Sequence, residues 1–174
     1  AANARAQFST GGGDLSLSAR GSLLGAPSTQ FFNDWLFRQG GVADSGDYAP
    51  QPAWWVRFDR FAQGVAALGG GDVTLAAGDD IVHLAAHAPT QGRTTGANPA
   101  SAVQQVGGGG EVRVTAGGDV LGGQFYAERG ALAIRAGGDV GSAQDVFGAA
   151  VYPVLALGDA RARVVAGGDV NLQG

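Results

Sequence analysis

Two histidines in "IVHLAAHAP", His83 and His87, are the first candidates for chemistry in this chain. Imidazoles four residues apart can share a metal when one helical turn brings them together. In a strand, at about 3.3 Å per residue, they face the same side but stand about 13 Å apart. "DDIVHL" reads as strand, so the expectation is two exposed histidines and no metal centre. Carboxylates are the second set. Asp79 and Asp80 are adjacent and would face opposite ways in a strand. Asp59 lies between Arg57 and Arg60, the arrangement of a surface ion pair. Polysaccharide cleavage needs two or three carboxylates within about 10 Å, and no such group is marked by spacing. "GGGG" at 107–110 lacks the Lys and Ser/Thr that follow a phosphate-binding loop, and no HExxH or Ser-His-Asp arrangement is written. The reading is no catalytic residue, no metal and no cofactor.

The third set is the aspartate of a recurring phrase. "VTAGGDVLGG" at 114–123 has relatives in "GGDL", "GGDVTL", "AAGDDI", "RAGGDV" and "VAGGDVNL". Stacked copies would put Asp119, Asp139 and Asp169 in one column, and like charges there repel unless exposed or hydrogen-bonded to amides. Calcium needs six to eight oxygens, and one Asp per copy supplies too few. The calcium-binding nonapeptide G-G-x-G-x-D-x-U-x is also absent. These aspartates read as turn residues that accept backbone amides just beyond themselves.

The elements that would position them follow from the repeat. Its units are "GGDLSLSARGSL", "GGDVTLAAGDDI", "GGEVRVTAGGDV", "RGALAIRAGGDV" and "GDARARVVAGGDV". In each, apolar positions alternate, a glycine corner follows, and another apolar residue opens the next segment. That is strand, corner, strand. Leu15, Val73, Val112, Leu132 and Ala162 open the units, at intervals of 58, 39, 20 and 30 residues. A period near 20 with several short strands marks a parallel β-helix or related solenoid. An antiparallel sandwich needs no such constant turn phrase. The fold class expected is therefore all-β, a parallel β-helix of seven or eight coils over residues 1–174. Val112, Leu132 and Ala162 should share one inward file, Val114, Ile134 and Val164 a second, and Val120, Val140 and Val170 a third.

Composition agrees and excludes several classes. The 174 residues include 32 Gly without a Gly-X-Y period, and 45% are hydrophobic, so neither collagen nor a disordered linker fits. Every basic residue is Arg, and the net charge of −4 argues against nucleic acid or an anionic membrane as partner. Without Cys there is no disulfide or thiolate chemistry. The absence of Met, and of a charged and apolar leader in "AANARAQFSTGGG", points to an internal piece of a longer polypeptide.

Residues 25–64 interrupt the repeat with an aromatic-rich insertion. Phe31, Phe32, Trp35, Phe37, Tyr48, Trp54, Trp55, Phe58 and Phe61 all fall there. "STQFFNDWLFRQGG" predicts a short helix, capped by Ser28 or Thr29 and closed by Gly40, and "DSGDYAPQPAWW" an extended loop. Rings in this number must cover the coils rather than face water, so Phe31, Phe32, Trp35, Trp55, Phe58 and Phe61 are expected buried. Tyr48 and Trp54 are left as the exposed candidates for contact with a ligand or partner.

The units "GGDVTLAAGDDI", "VTAGGDV" and "VVAGGDVNLQG", with the stretch "WWVRFDRFAQGVAALGGGDVTLAAGDDIVHLAAHAPTQGR" at 54–93, resemble filamentous haemagglutinin-like large exoproteins of the two-partner secretion family. The resemblance implies a right-handed parallel β-helix, export through an outer-membrane secretion transporter, and a place at the surface of a Gram-negative bacterium. It implies a non-catalytic structural role in an adhesin, biofilm or matrix filament, with host or bacterial surface glycans or proteins as partners. Two alternatives stand beside it: a polysaccharide-active β-helix enzyme, and the spacer stalk of a contact-dependent toxin. The family's secretion domain carries an Asn-Pro-Asn type motif, and the Asn98-Pro99 of this chain lies in a different context. Both ends run into repeat material without a polar cap, which leads to the further expectation of end-to-end self-association.

Overall fold

The computed structural model describes residues 11–40, 44–46, 52–95 and 103–173. The chain is almost all β, and most of its strands pair in parallel. Three sets of parallel strands run through it. The first stacks Leu15–Ala19, Val73–Ala77 and Val112–Ala116, then the later halves of Gln124–Ala136 and Val154–Ala166. Its partners are Leu15 with Val73, Val73 with Val112, Val112 with Leu132, and Leu132 with Ala162. The second set stacks Leu23–Leu24, Ile81–Val82, Val120–Leu121 and Val140–Gly141, and a bridge joins Val140 to Val170. The third stacks Val65–Ala66 and Ala86–Ala88 with the early halves of the two long strands.

The three inward files expected from the repeat are therefore present, residue for residue. The number of coils is not. Leu15 pairs directly with Val73 and Val73 with Val112, so the intervals of 58 and 39 are single passes enlarged by insertions. Among the described residues five passes, opened by Leu15, Val73, Val112, Leu132 and Ala162, stand where seven or eight were expected over residues 1–174.

The insertions make structure of their own. Leu36–Gln39, Ala53–Val56, Thr90–Thr95 and Val103–Gly108 join into one antiparallel sheet, in which Trp54 faces Gly92 across the two insertions. A small hairpin, Ala143–Gln144 against Ala150–Val151, accounts for the ten extra residues of the fourth pass. The expected helix shrinks to Phe32–Trp35 and is capped at Phe31 by the Asp34 carboxylate. Ser28 instead donates to Gln63 Oε1 at 2.8 Å. "AWWV" is strand rather than loop.

Two cores result. Inside the stack lie Val73, Leu75, Ile81, Val112, Val114, Val120, Phe125, Leu132, Ile134 and Val140, all at 0–1% exposure. Alternation along the third set sends Phe125 and Ala127 inward and Tyr126 outward. Tyr126 there meets Trp35, Leu36 and Val56 in a second core between the stack and the antiparallel sheet. No helix among the described residues is long and apolar enough to cross a membrane.

Candidate functional site

The corner aspartates form a ladder. Asp80 Oδ1 accepts the backbone N–H of Asp119 at 2.8 Å. Asp119 Oδ1 accepts that of Asp139, and Asp139 Oδ1 that of Asp169, each at 2.7 Å. At the bottom, the Ser22 hydroxyl accepts the N–H of Asp80 at 3.2 Å. A second, shorter column repeats the device on the other side of the first set. Asp14 Oδ1 accepts from Asp72 N at 2.9 Å, and Asp72 Oδ1 from Glu111 N at 2.8 Å, with Arg113 Nη1 on the remaining Asp72 oxygen. The amide each carboxylate binds belongs to the next pass, not to its own turn as expected. The carboxylates of Asp80, Asp119 and Asp139 are thus each spent on an N–H directed at them, which offsets the repulsion of charges in file.

The same contacts explain the glycines. A Cβ built on Gly78, Gly117 or Gly137 would stand 2.0 Å from the carbonyl oxygen of the pass below, and on Gly167 2.1 Å. The second glycine yields to the carboxylate: a Cβ on Gly118, Gly138 or Gly168 would fall 2.0–2.1 Å from Asp80, Asp119 or Asp139 Oδ1. Departures from the phrase occur where the obstacle is missing. Asp79 stands at the second position over the shorter Ser22, and Arg20 at the first position of the lowest pass. Gly-Gly-Asp is therefore one stacking unit. Among the described residues, no group of three or more His, Asp or Glu is placed to hold a metal ion.

Both histidines are buried, against expectation. The strand ends at Val82, and His83 turns a corner with φ of +55°, the position that Gly122 takes in the next pass with φ of +63°. Its Nε2 lies 3.0 Å from the Gln144 carbonyl and so ties the small hairpin to the stack. His87 points outward from the third set into the second core, 2% exposed, between Trp35 and Phe61. Burial without a charged partner lowers its pKa from 6.5 to about 4. The expected pair between Asp59 and an arginine is formed with Arg57, whose guanidinium is itself buried and lies 5.3 Å from the Phe37 ring centroid.

The aromatic residues divide differently from the expectation. Trp35 and Trp55 are buried, and Phe32 and Phe61 are half-buried. Phe31 and Phe58 are 52% and 41% exposed, because Phe31 precedes the short helix and Phe58 follows the strand end. Trp54, expected in solvent, is half-buried: its Nε1 donates to Thr90 Oγ1 at 2.9 Å and its ring covers Gly92. Tyr48 lies outside the described residues. Among its described residues the insertion presents a shallow cleft of about 320 Å³ lined by Phe32, Asn33, Leu36, Phe37 and Arg38. Arg38 lies 3.5 Å from Glu128, while Phe32 stacks on Tyr126 with ring centroids 5.0 Å apart. "LFRQ" has no period-two alternation to mark it as strand, and the helical reading of the segment concealed this face.

Comparison with protein-family models, with curated proteins and with solved structures finds no match to this chain. Fold and site therefore rest on the geometry above.

Proposed function

We propose that this chain is a non-catalytic structural segment of a fibrous exoprotein displayed at a Gram-negative cell surface, built as a right-handed parallel β-helix. One observation carries the reading: five passes stack in register, and at one corner each carboxylate takes the amide of the pass above. Such a stack lengthens by adding passes, which suits a filament. The resemblance of residues 54–93 to the large exoproteins supports export through an outer-membrane transporter.

The contact surface proposed is the cleft lined by Phe32, Asn33, Leu36, Phe37 and Arg38, rather than Trp54. Rings beside a guanidinium suit the apolar face and hydroxyls of a sugar, or a protein loop. The test is attachment of the isolated segment, coupled to beads, to glycan arrays and to bacterial and host cells. Asn33→Ala, Phe37→Ala and Arg38→Ala should each weaken attachment while the far-ultraviolet circular dichroism is unchanged. Attachment that survives all three removes this face as the contact. Unsaturated products from polygalacturonate or alginate would show a polysaccharide lyase. If deleting the segment from its parent protein leaves attachment intact, it is a spacer.

A further inference from the structure

We infer that Arg20 makes the stack one-way. Its Cβ bars any further pass from seating beneath the first pass in the internal register, the last pass of a second copy included. The opposite edge, at Ala162–Ala166, is open to a parallel pass with glycine at the corner. The inference rests on the stacking geometry and not on the surface role proposed above.

The argument is positional. Arg20, Gly78, Gly117, Gly137 and Gly167 occupy the same corner position in the five passes. In each of the upper four the Cβ direction points at the carbonyl of the pass below, at 2.0–2.1 Å. By the register with Gly78, the Cβ of Arg20 takes the same direction. A pass placed beneath it would put a carbonyl oxygen inside that carbon, and because the obstacle is backbone, no side-chain rotation relieves it.

The next two positions raise no obstacle: Gly21 has no Cβ, and the N–H of Ser22 could donate to a carboxylate as that of Asp80 donates to the Ser22 hydroxyl. Exposed apolar surface does not distinguish the two ends. Leu24 is 73% exposed at one, and Val170 and Leu172 are 49% and 42% exposed at the other. Among the described residues, the corner residue does. At the open end Asp169 gives its amide to Asp139, and among the described residues no pass lies above its carboxylate. The partner that fits there is a strand pass carrying two glycines and a free backbone N–H, as the third, fourth and fifth passes do. Edge protection by one residue is a known device against uncontrolled strand pairing.

Sedimentation of the whole chain tests this. The parent protein and Arg20→Ala should both remain monomers, because alanine keeps the Cβ. Arg20→Gly should associate end to end, its sedimenting mass at least doubling with concentration, and adding Asp169→Ala should reduce that association. A parent that associates, Arg20→Ala associating as strongly as Arg20→Gly, or a folded Arg20→Gly that stays monomeric would each overturn the inference. A second measurement needs no variant of the protein. A labelled peptide with the sequence of residues 132–141 should bind the parent chain, and the same peptide with alanine at the Gly137 position should not. Equal binding of the two peptides, or none by either, counts against an open edge that selects glycine.

Discussion

Asp119 receives the backbone N–H of Asp139 at 2.7 Å, and the carbon that a second-position alanine would add at Gly138 points into that same oxygen. Two substitutions at this corner should therefore be coupled. Asp119→Ala leaves the Asp139 amide without its charged acceptor and should cost about 1–2 kcal/mol, while Asp119→Asn, which keeps an acceptor oxygen, should cost less. Gly138→Ala displaces the carboxylate and should cost a similar amount alone, but much less in the Asp119→Ala background. Gly137→Ala meets a backbone carbonyl that cannot turn aside, and its larger cost, about 3 kcal/mol or more, should persist in either background. Chemical denaturation of the four-member cycle reads this directly. His87 supplies the pH dependence. Its folded pKa of about 4 is below the unfolded 6.5, so in that window the unfolded chain holds the extra proton. Stability is then full above pH 6.5 and falls with pH down to about 4, by about 3 kcal/mol in total. Glu128 acts in the opposite sense, since burial raises its pKa and protonation relieves it. Melting temperatures of the parent and His87→Gln across pH 4–7 should converge at the acid end as the parent loses this contribution.

At the scale of elements, the antiparallel sheet built by two insertions decides what the aromatic residues do. Trp35→Ala empties a fully buried site in the second core and should cost about 3–5 kcal/mol by thermal melting. Trp54→Ala loses the bond to Thr90 and the cover over Gly92, and should cost about 2–3 kcal/mol. An unchanged melting temperature would return Trp54 to the role of an exposed contact. The contrast shows what was legible in the residues. The files of Val112, Leu132 and Ala162 could be read because the apolar alternation and the corner phrase recur together at a near-constant interval. The sheet could not, because it pairs Trp54 with Gly92, and neither insertion carries a periodic mark of the other. For the same reason the 39-residue interval reads as two turns, when it carries the antiparallel pair Thr90–Thr95 and Val103–Gly108. The ladder was half legible: spacing put the aspartates in a column, but only the stack shows whose amide they hold.

For the molecule as a whole, stability should be graded along the stack, since Val112–Ala116 pairs on both edges and Ala162–Ala166 on one. Hydrogen exchange should be slowest at Val112–Ala116 and at the second half of Gln124–Ala136, and fastest in the first and last passes. Uniform protection would mean that the passes open together. The pairing intervals also set an order of assembly. Leu15 finds Val73 across 58 residues, whereas Val112 finds Leu132 across 20. Closing the longer loop costs about 1 kcal/mol more in chain entropy, and its contacts include a sheet that must wait for Thr90–Thr95. The short interval is therefore the natural nucleus. As the chain is made in the N-to-C direction, Leu15–Ala19 emerges before Val73–Ala77, and it would travel as open strand until that later pass has formed a surface to receive it.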